Sequence, residues 1–314
     1  MDNIHNLTIV IVTYRTDEKI LTDCLNSIDP QVKILLVENS NNIEFKKKFE
    51  NKYSNLTVHL SGKNLGYGAG NNYGLSRVKT QYSLILNPDV ILEKNFFNVV
   101  NDYFNQQINF HIIGVNYQDN SKWKTSGFFD EFDKRIKLED QIKTDYNLLE
   151  LEEVDWVVGC AMLINLDKFN TRQLFDENIF LYFEEFDLCR RVRNKKGKIY
   201  SGKNLLAQHL GTKGSAATDS DYSLESIIFK DWHFMWSTFY YYKKYYGYFY
   251  AVYKTYGKLF KSTINMILFT ILFTILFDKK KKTVYYAKAF GLLNAMLGKK
   301  SWYRVKSLLN DQEN

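Results

Sequence analysis

Leu7-Thr8-Ile9-Val10-Ile11-Val12-Thr13, followed at once by Tyr14-Arg15-Thr16-Asp17, is the stretch on which the reading of this chain turns. An unbroken apolar and β-branched run fits a strand buried on both faces, as in parallel sheets. The pattern recurs at residues 32–38 (VKILLVE), 56–60 (LTVHL) and 82–87 (YSLILN). Amphipathic stretches at residues 17–27, 43–52 and 69–78 lie between these runs, so the spacing predicts an α/β sheet covered on both faces. Downstream, the pattern predicts a helix at 94–104, a polar, loop-rich stretch at 118–150 and a buried strand at 154–165. A helix at 184–195 and short strands near 198–201 and 205–209 complete the expectation. Ligands in such sheets lie at the carboxyl ends of the strands.

The polar residues after each run are therefore the ones to inspect. They are Thr13-Tyr14-Arg15, then Glu38-Asn39-Ser40-Asn41-Asn42, then NLGYGAGNNYG at residues 64–74, then Asn87-Pro88-Asp89. One such cluster is ordinary turn chemistry; four in succession along one sheet edge point to a site. A dinucleotide fingerprint is excluded, because Gly66 and Gly68 would need a third glycine where Asn71 stands, and the preceding strand is the third. Later, Phe180-Leu181-Tyr182-Phe183 runs into Glu184, Glu185 and Asp187 at the expected start of a helix. Acids there complement the helix dipole. The aromatic run before them also implies partial desolvation, which raises a carboxylate pKa toward the range of a general base. His209 closes an apolar strand ahead of Gly211-Thr212-Lys213-Gly214-Ser215.

In order, TIVIVTYR, VENSNN, NLGYGAGNNYG and LILNPDV resemble the nucleotide-sugar half of GT-A-fold glycosyltransferases. VDWVVGCAMLI, IFLYFEEFDLCRRVRNKKGKIY and QHLGTKGS extend the resemblance across roughly residues 6–215. They resemble the rhamnosyltransferase-like branch of the second glycosyltransferase sequence family, which builds bacterial cell-surface polysaccharides. The resemblance implies an α/β GT-A fold, a Rossmann-like nucleotide-diphospho-sugar transferase with a mixed sheet flanked by helices. It assigns Thr13, Tyr14, Arg15, Glu38 and Asn39 to the base and ribose side of the donor site. Gly68, Asn71, Asn72 and Asn87 would line its ribose and phosphates. Asp89 ends the motif whose last acid binds a divalent cation, Mn²⁺ or Mg²⁺, and His209 matches a histidine that completes the metal site. Glu185 matches the catalytic base, with Glu184 and Asp187 as rivals. Three positions depart from the family pattern: Glu38 and Glu185 stand where Asp is commoner, and Asn87 replaces the first acid of the metal motif.

One base and one displacement imply inversion at the anomeric carbon. The donor would be a dTDP- or UDP-sugar, L-rhamnose being one candidate, and the acceptor a polyprenyl-diphosphate-linked glycan. Rival readings are a nucleotidyltransferase and a non-catalytic scaffold of the same fold. The first is disfavoured because Thr13–Asp17 stands where a glycine-rich phosphate loop would be expected.

Composition divides the chain. Residues 230–314 hold 15 Lys/Arg against 4 Asp/Glu, whereas residues 1–229 hold 27 against 31. The expected division is a catalytic domain at 1–220 and an aromatic, basic, helical region at 221–314. Nine tyrosines fall within residues 240–256, followed by the apolar run INMILFTILFTILF at 264–277 and four lysines at 279–282. Fourteen residues make a helix of ~21 Å, short of a ~30 Å hydrocarbon core. Lysines and aromatics beside such a helix suit an anionic membrane surface, with a homodimer interface as the alternative and nucleic acid disfavoured. Cys24, Cys160 and Cys189 are too scattered for a disulfide framework. With no basic stretch ahead of the first apolar run, the expected place is the cytoplasmic face of the cell membrane, held peripherally.

Overall fold

The computed structural model describes residues 3–119, 122–124, 126–129, 135–137, 150–210, 224–276 and 279–304. Two units form, one from residues 1–176 with 184–216 and the other from residues 177–183 with 217–314. A division by chain position does not foresee that residues 177–183 join the second unit.

In the first unit β1 (Leu7–Thr13), β2 (Lys33–Glu38), β3 (Leu56–Leu60) and β4 (Tyr82–Leu86) run parallel in the order β4-β1-β2-β3. Every residue of β4 and all but one of β1 are buried, as uninterrupted apolar strands require. Helices α1 (Glu18–Asn26), α2 (Ile43–Lys52) and α3 (Tyr67–Leu75) connect them. Asp17 caps α1 by accepting from the backbone N–H of Lys19 and Ile20, and Asn42 caps α2 through Phe45 N–H. Beyond β4 come β5 (Val90–Leu92), α4 (Phe96–Asn105) and β6 (Ile112–Asp119). Next are β7 (Lys122–Lys124), β8 (Ser126–Phe129), β9 (Arg135–Lys137) and β10 (Leu151–Glu153). Finally β11 (Trp156–Val157) and β12 (Ala161–Asn165) lead to α5 (Glu184–Asn194) and β13 (Ile199–His209). The sheet continues past β4 through β12, β6, β13 and β10, with β12 antiparallel to both β4 and β6. It is therefore a mixed sheet, while β11, β8 and β9 make a small sheet of their own.

Two expectations need correcting. The buried strand expected across residues 154–165 is broken into β11 and β12, because the chain turns at residues 159–160 and presents the Gly159 carbonyl to the Tyr67 hydroxyl. The two strands expected between 198 and 209 are one strand, β13, with a register shift between Gly202 and Leu206. Much of the polar, loop-rich stretch at 118–150, and all of Gly211-Thr212-Lys213-Gly214-Ser215 after His209, lies outside the described residues.

Glycines decide how α3 meets the sheet. A Cβ on Gly74 would lie 2.5 Å from Val10 Cγ1, and one on Gly70 would lie 2.8 Å from Val12 Cγ1. Gly66 caps the helix with φ 82°, a left-handed conformation that a side chain disfavours.

The second unit holds α6 (Leu224–Tyr246), α7 (Tyr248–Leu276) and α8 (Lys279–Met296), with α6 and α7 separated at Gly247, φ 83°. Its core gathers Trp232, Met235, Trp236 and Phe239 with Ala251, Ala287 and Leu292. His233 is buried among Phe180, Phe229 and Trp232 and hydrogen-bonded through both ring nitrogens, to Ser301 Oγ and the Tyr303 carbonyl. Burial lowers its pKa to about 3, so it is a neutral structural residue. Tyr241, Tyr242, Tyr245, Tyr246, Tyr248 and Tyr250 make ring contacts about the α6–α7 corner. Tyr242, Tyr246 and Tyr250 form a ladder there, with centroids 4.6–6.4 Å apart.

The fit of α3 against β1 yields a stability prediction. Gly74→Ala overpacks the helix against Val10 and should cost about 1–3 kcal/mol, read as a lower urea midpoint at unchanged slope. A variant as stable as the parent would show that α3 can move off the sheet without loss.

Candidate active site

The carboxyl ends of β1, β2 and β4 meet the N-termini of α3 and α5 along one edge of the first unit. At the end of β1, Thr13 Oγ donates to Glu38 Oε2 at 2.9 Å across the β1–β2 pair. Glu38 Oε1 accepts from the Ser40 backbone N–H at 2.7 Å and also from its hydroxyl. Burial raises the Glu38 pKa, and the bonds from Ser40 and Thr13 oppose that rise. Asn39 is buried, its amide nitrogen donating to the Gly66 carbonyl at 3.2 Å while its Oδ1 has no hydrogen-bond partner. Tyr14 and Arg15 follow half-buried, Arg15 in the left-handed region at φ 49° with its guanidinium 5.8 Å from the Tyr14 ring centre.

Helix α3 carries two asparagines with different tasks. Asn71 is buried, donates to the Tyr67 carbonyl within its own helix and leaves Oδ1 unpartnered. Asn72 donates to the Phe175 carbonyl and accepts from Phe175 N–H, each at 2.9 Å, so its amide clamps a distant segment to the helix. Gly68 leaves room for that segment and for an acid, since a Cβ there would lie 3.1 Å from Phe175 Cβ and 3.3 Å from Glu184 Cγ.

At the end of β4, half-buried Asn87 donates its backbone N–H to the Cys160 carbonyl at 2.8 Å. Asp89 is 2% exposed and its Oδ1 has no hydrogen-bond partner. The β5–β13 pairing sets His209 opposite Val90 and brings its Nε2 to 3.4 Å from that oxygen. A buried carboxylate oxygen without a donor is costly unless something compensates it. An oxygen and an imidazole nitrogen converging there suit Mg²⁺ or Mn²⁺. Among the described residues no group of three or more His, Cys, Asp or Glu could hold a metal ion. A cation at Asp89 and His209 would thus take its other ligands from a bound molecule and water.

The acids of α5 divide. The helix is reached through Tyr182 and Phe183, both left-handed at φ 69° and 75°, a conformation costing about 1–3 kcal/mol per residue. Asp187 is fully buried and bonded to Arg191 Nε at 2.8 Å, and Arg191 also donates to the Leu174 carbonyl. Glu184 is 2% exposed with Oε1 unpartnered. Burial, reinforced by the neighbouring Glu185 charge, pushes its pKa well above the ordinary carboxylate range. Glu184 thus favours its neutral form, and half-buried Glu185 lies beside it. Glu185 borders Gly159, where an added Cβ would be 3.5 Å from both Glu185 Cβ and the Tyr67 hydroxyl. Burial raises the Cys160 thiol pKa, and the negative charges of Asp89 and Glu185 raise it further, so both acids lie within electrostatic reach of that residue.

Tyr67 is the residue that the sequence reading passes over. It lies inside the quoted glycine cluster, but nothing in the sequence joins it to Gly159, 92 positions away. Its buried hydroxyl is held well above its usual pKa by burial and by the charge of Glu185, so it remains a hydrogen-bond donor.

A mixed sheet with a parallel centre and an acid-lined rim at its strand ends defines the GT-A class, and two solved structures bear this out. GalNAc-T7 with UDP, GalNAc and Mn²⁺ superposes at TM-score 0.53 and 13% identity, covering 68% of this chain and 44% of that one. The mannosyltransferase PcManGT from Pyrobaculum calidifontis, in complex with GDP-Man and Mn²⁺, superposes at TM-score 0.51 and 9% identity, covering 94% and 88%. At such identities the likeness establishes the fold. Residues 8–206 match the Glycosyl transferase family 2, and the chain belongs to that family. The low-salt glycan biosynthesis hexosyltransferase Agl10 of Haloferax volcanii is 26% identical over 205 residues, 60% of this chain and 62% of that protein. Rhamnosyltransferase WbbL of Escherichia coli K12 is 25% identical over 201 residues, 59% and 75% of the two chains. The alignment thus spans about three fifths of the Agl10 length.

The state of Glu184 can be read from stability. An acid whose folded pKa is raised binds its proton more tightly in the folded state. Its contribution is therefore present below the unfolded value of 4.5 and is lost progressively as pH rises above it. Glu184→Gln should melt about 2–4 °C higher than the parent at neutral pH, as ~1 kcal/mol gives in a domain of this size. The difference should shrink toward pH 4.5. Parallel melting curves at every pH would remove the protonated acid.

Proposed function

We propose that this chain is an inverting glycosyltransferase that moves a sugar from a nucleoside-diphosphate donor to a lipid-linked glycan hydroxyl. The observation that carries the reading is two unlike acids that both lie in electrostatic reach of Cys160. Asp89 has a buried oxygen with no hydrogen-bond partner among the described residues, and half-buried Glu185 lies beside the buried Glu184, whose pKa is raised. Family membership and the names of the two relatives, a hexosyltransferase and a rhamnosyltransferase, support the reaction class.

Asp89 and His209 would hold a divalent cation, Mn²⁺ or Mg²⁺, and both solved GT-A relatives contain Mn²⁺. Such a cation supplies positive charge against a leaving diphosphate. Glu185 accepts the proton of the acceptor hydroxyl as that oxygen attacks the anomeric carbon. The bond to the diphosphate breaks on the opposite face, so the configuration inverts. Protonated Glu184 withholds a second negative charge from that place, and the Tyr67–Gly159 bond fixes the backbone beside the base. The Thr13–Glu38 pair and Asn39, whose Oδ1 is open, face the base and ribose of the donor. The resemblance to the rhamnosyltransferase branch and the named relative favour dTDP-rhamnose, with a UDP-hexose as the alternative. A polyprenyl-diphosphate glycan is the acceptor proposed from the same resemblance.

Donor binding and chemistry can be tested separately. Titration calorimetry with dTDP and UDP, with and without Mn²⁺, should show nucleotide binding that Mn²⁺ strengthens and that Asp89→Ala makes indifferent to Mn²⁺. Glu185→Gln should keep that binding while lowering turnover by ~10²–10⁴-fold, the usual worth of a positioned base. A Glu185→Gln enzyme with near-normal turnover would take the base role away from Glu185.

A further inference from the structure

Helix α7 is buried along one face and presents large apolar residues on the opposite one. Ala251, Thr255 and Ser262 lie buried on one, within the second unit. On the other, Phe249, Tyr253, Tyr256, Phe260, Ile267 and Ile271 are each half or more exposed, Phe249 at 88%. Their spacing places all six within about 60° of arc on a helix of 3.6 residues per turn. The stripe runs straight for ~33 Å at ~1.5 Å per residue. A helix with one face packed and a large apolar stripe on the other has a second medium to meet. Lys254, Lys258 and Lys261 fall on the arc between the stripe and the packed face, and α7 contains no Asp or Glu.

We propose that α7 lies flat on an anionic lipid surface, with the stripe in the boundary between headgroups and acyl chains and the lysines on lipid phosphates. Aromatic residues and isoleucines along the stripe suit the boundary between headgroups and acyl chains, and long lysine side chains reach outward from such a position. Charge decides against a second copy of this chain as the occupant. Joining two stripes would set two rows of lysines together without a carboxylate on either helix to pair with them, whereas anionic lipid neutralises them. Crossing the bilayer is not what the stripe fits, since no helix among the described residues is long and apolar enough to span a membrane. The surface begins at Phe249, well ahead of the run at 264–277 that the sequence marks.

The inference stands on the second unit alone, and vesicle binding is read without donor or acceptor, so it can fail independently of the glycosyl-transfer reading. The full chain is sedimented with phosphatidylcholine vesicles with and without about 30% phosphatidylglycerol, at about 0.1 M and 0.5 M salt. It should bind the anionic vesicles at least tenfold better than the neutral ones and lose most of that preference at high salt. The double variant Phe260→Glu/Ile267→Glu should bind at least tenfold more weakly, and Phe260→Ser/Ile267→Ser gives the same reading if the charged pair lowers the melting temperature. Lys254→Gln/Lys258→Gln/Lys261→Gln should bind neutral and anionic vesicles alike. The proposal is overturned by a wild-type chain that stays in the supernatant, or by stripe variants that bind like wild type. It is overturned equally if lipid-free sedimentation velocity shows a wild-type dimer that the stripe variants turn into monomers, for then a second copy covers the stripe.

Discussion

Helix α3 must touch two things at once, the central strand β1 and the acids at the head of α5. A side chain on the wrong position would force it away from one of them. Gly70 and Gly74, four residues apart, remove the Cβ atoms that would meet Val12 and Val10. Gly68, on another side of the helix, removes the one that would meet Phe175 and Glu184. Close packing makes such positions unforgiving, because an interior at crystal-like density has nowhere to put a methyl group. Once α3 is seated, Tyr67 reaches the Gly159 carbonyl and Asn72 reaches Phe175, which fixes the backbone on either side of Glu184 and Glu185.

Seating fixes the electrostatics as well. Two adjacent glutamates at a helix start could both be ionised in water, each favoured by the helix dipole. Here Glu184 is buried against Gly68 with an oxygen that has no hydrogen-bond partner among the described residues, and Glu185 lies beside it. Like charges in a poorly solvated place cannot both persist, so the more buried acid keeps its proton. The helix dipole is still answered, by Glu185 and by the fully buried Asp187 that Arg191 neutralises. Three carboxylates that look equivalent in sequence thus have three settings: Glu184 buried, Glu185 half-buried, and Asp187 buried and paired with Arg191.

Much of this was legible in the sequence because strands buried on both faces advertise themselves. Leu7–Thr13, Leu56–Leu60 and Ile43–Lys52 fall where the pattern sets them, since continuous apolar runs and capped amphipathic stretches are local signals. Where long-range bonds decide, the pattern misleads. Residues 154–165 read as one strand, and only the bond from Tyr67, 92 positions earlier, shows why the chain breaks at Gly159. The rivalry among Glu184, Glu185 and Asp187 was equally undecidable from spacing, because burial and the Arg191 pairing are tertiary facts. The resemblance pairs Asp89 with His209, which lie far apart in the chain, and the β5–β13 register is what sets them 3.4 Å from each other.

Glycines and tyrosines illustrate the same lesson in opposite directions. The cluster NLGYGAGNNYG looks like a loop that cradles phosphate, yet Gly68, Gly70 and Gly74 serve close packing of a helix, and the Asn72 amide is spent on the Phe175 backbone. The tyrosines of residues 240–256 look like one interfacial belt. Most of them instead close the corner between α6 and α7, leaving Tyr253 and Tyr256 exposed on the stripe. Composition counts residue types, but a helix sorts them by angle. In α7 a 3.6-residue period separates small residues facing the protein from large ones facing outward, with lysines between. The basic, aromatic character of the tail is therefore two properties in one segment: aromatic packing that holds the helices together, and an outward surface that the packing leaves uncovered.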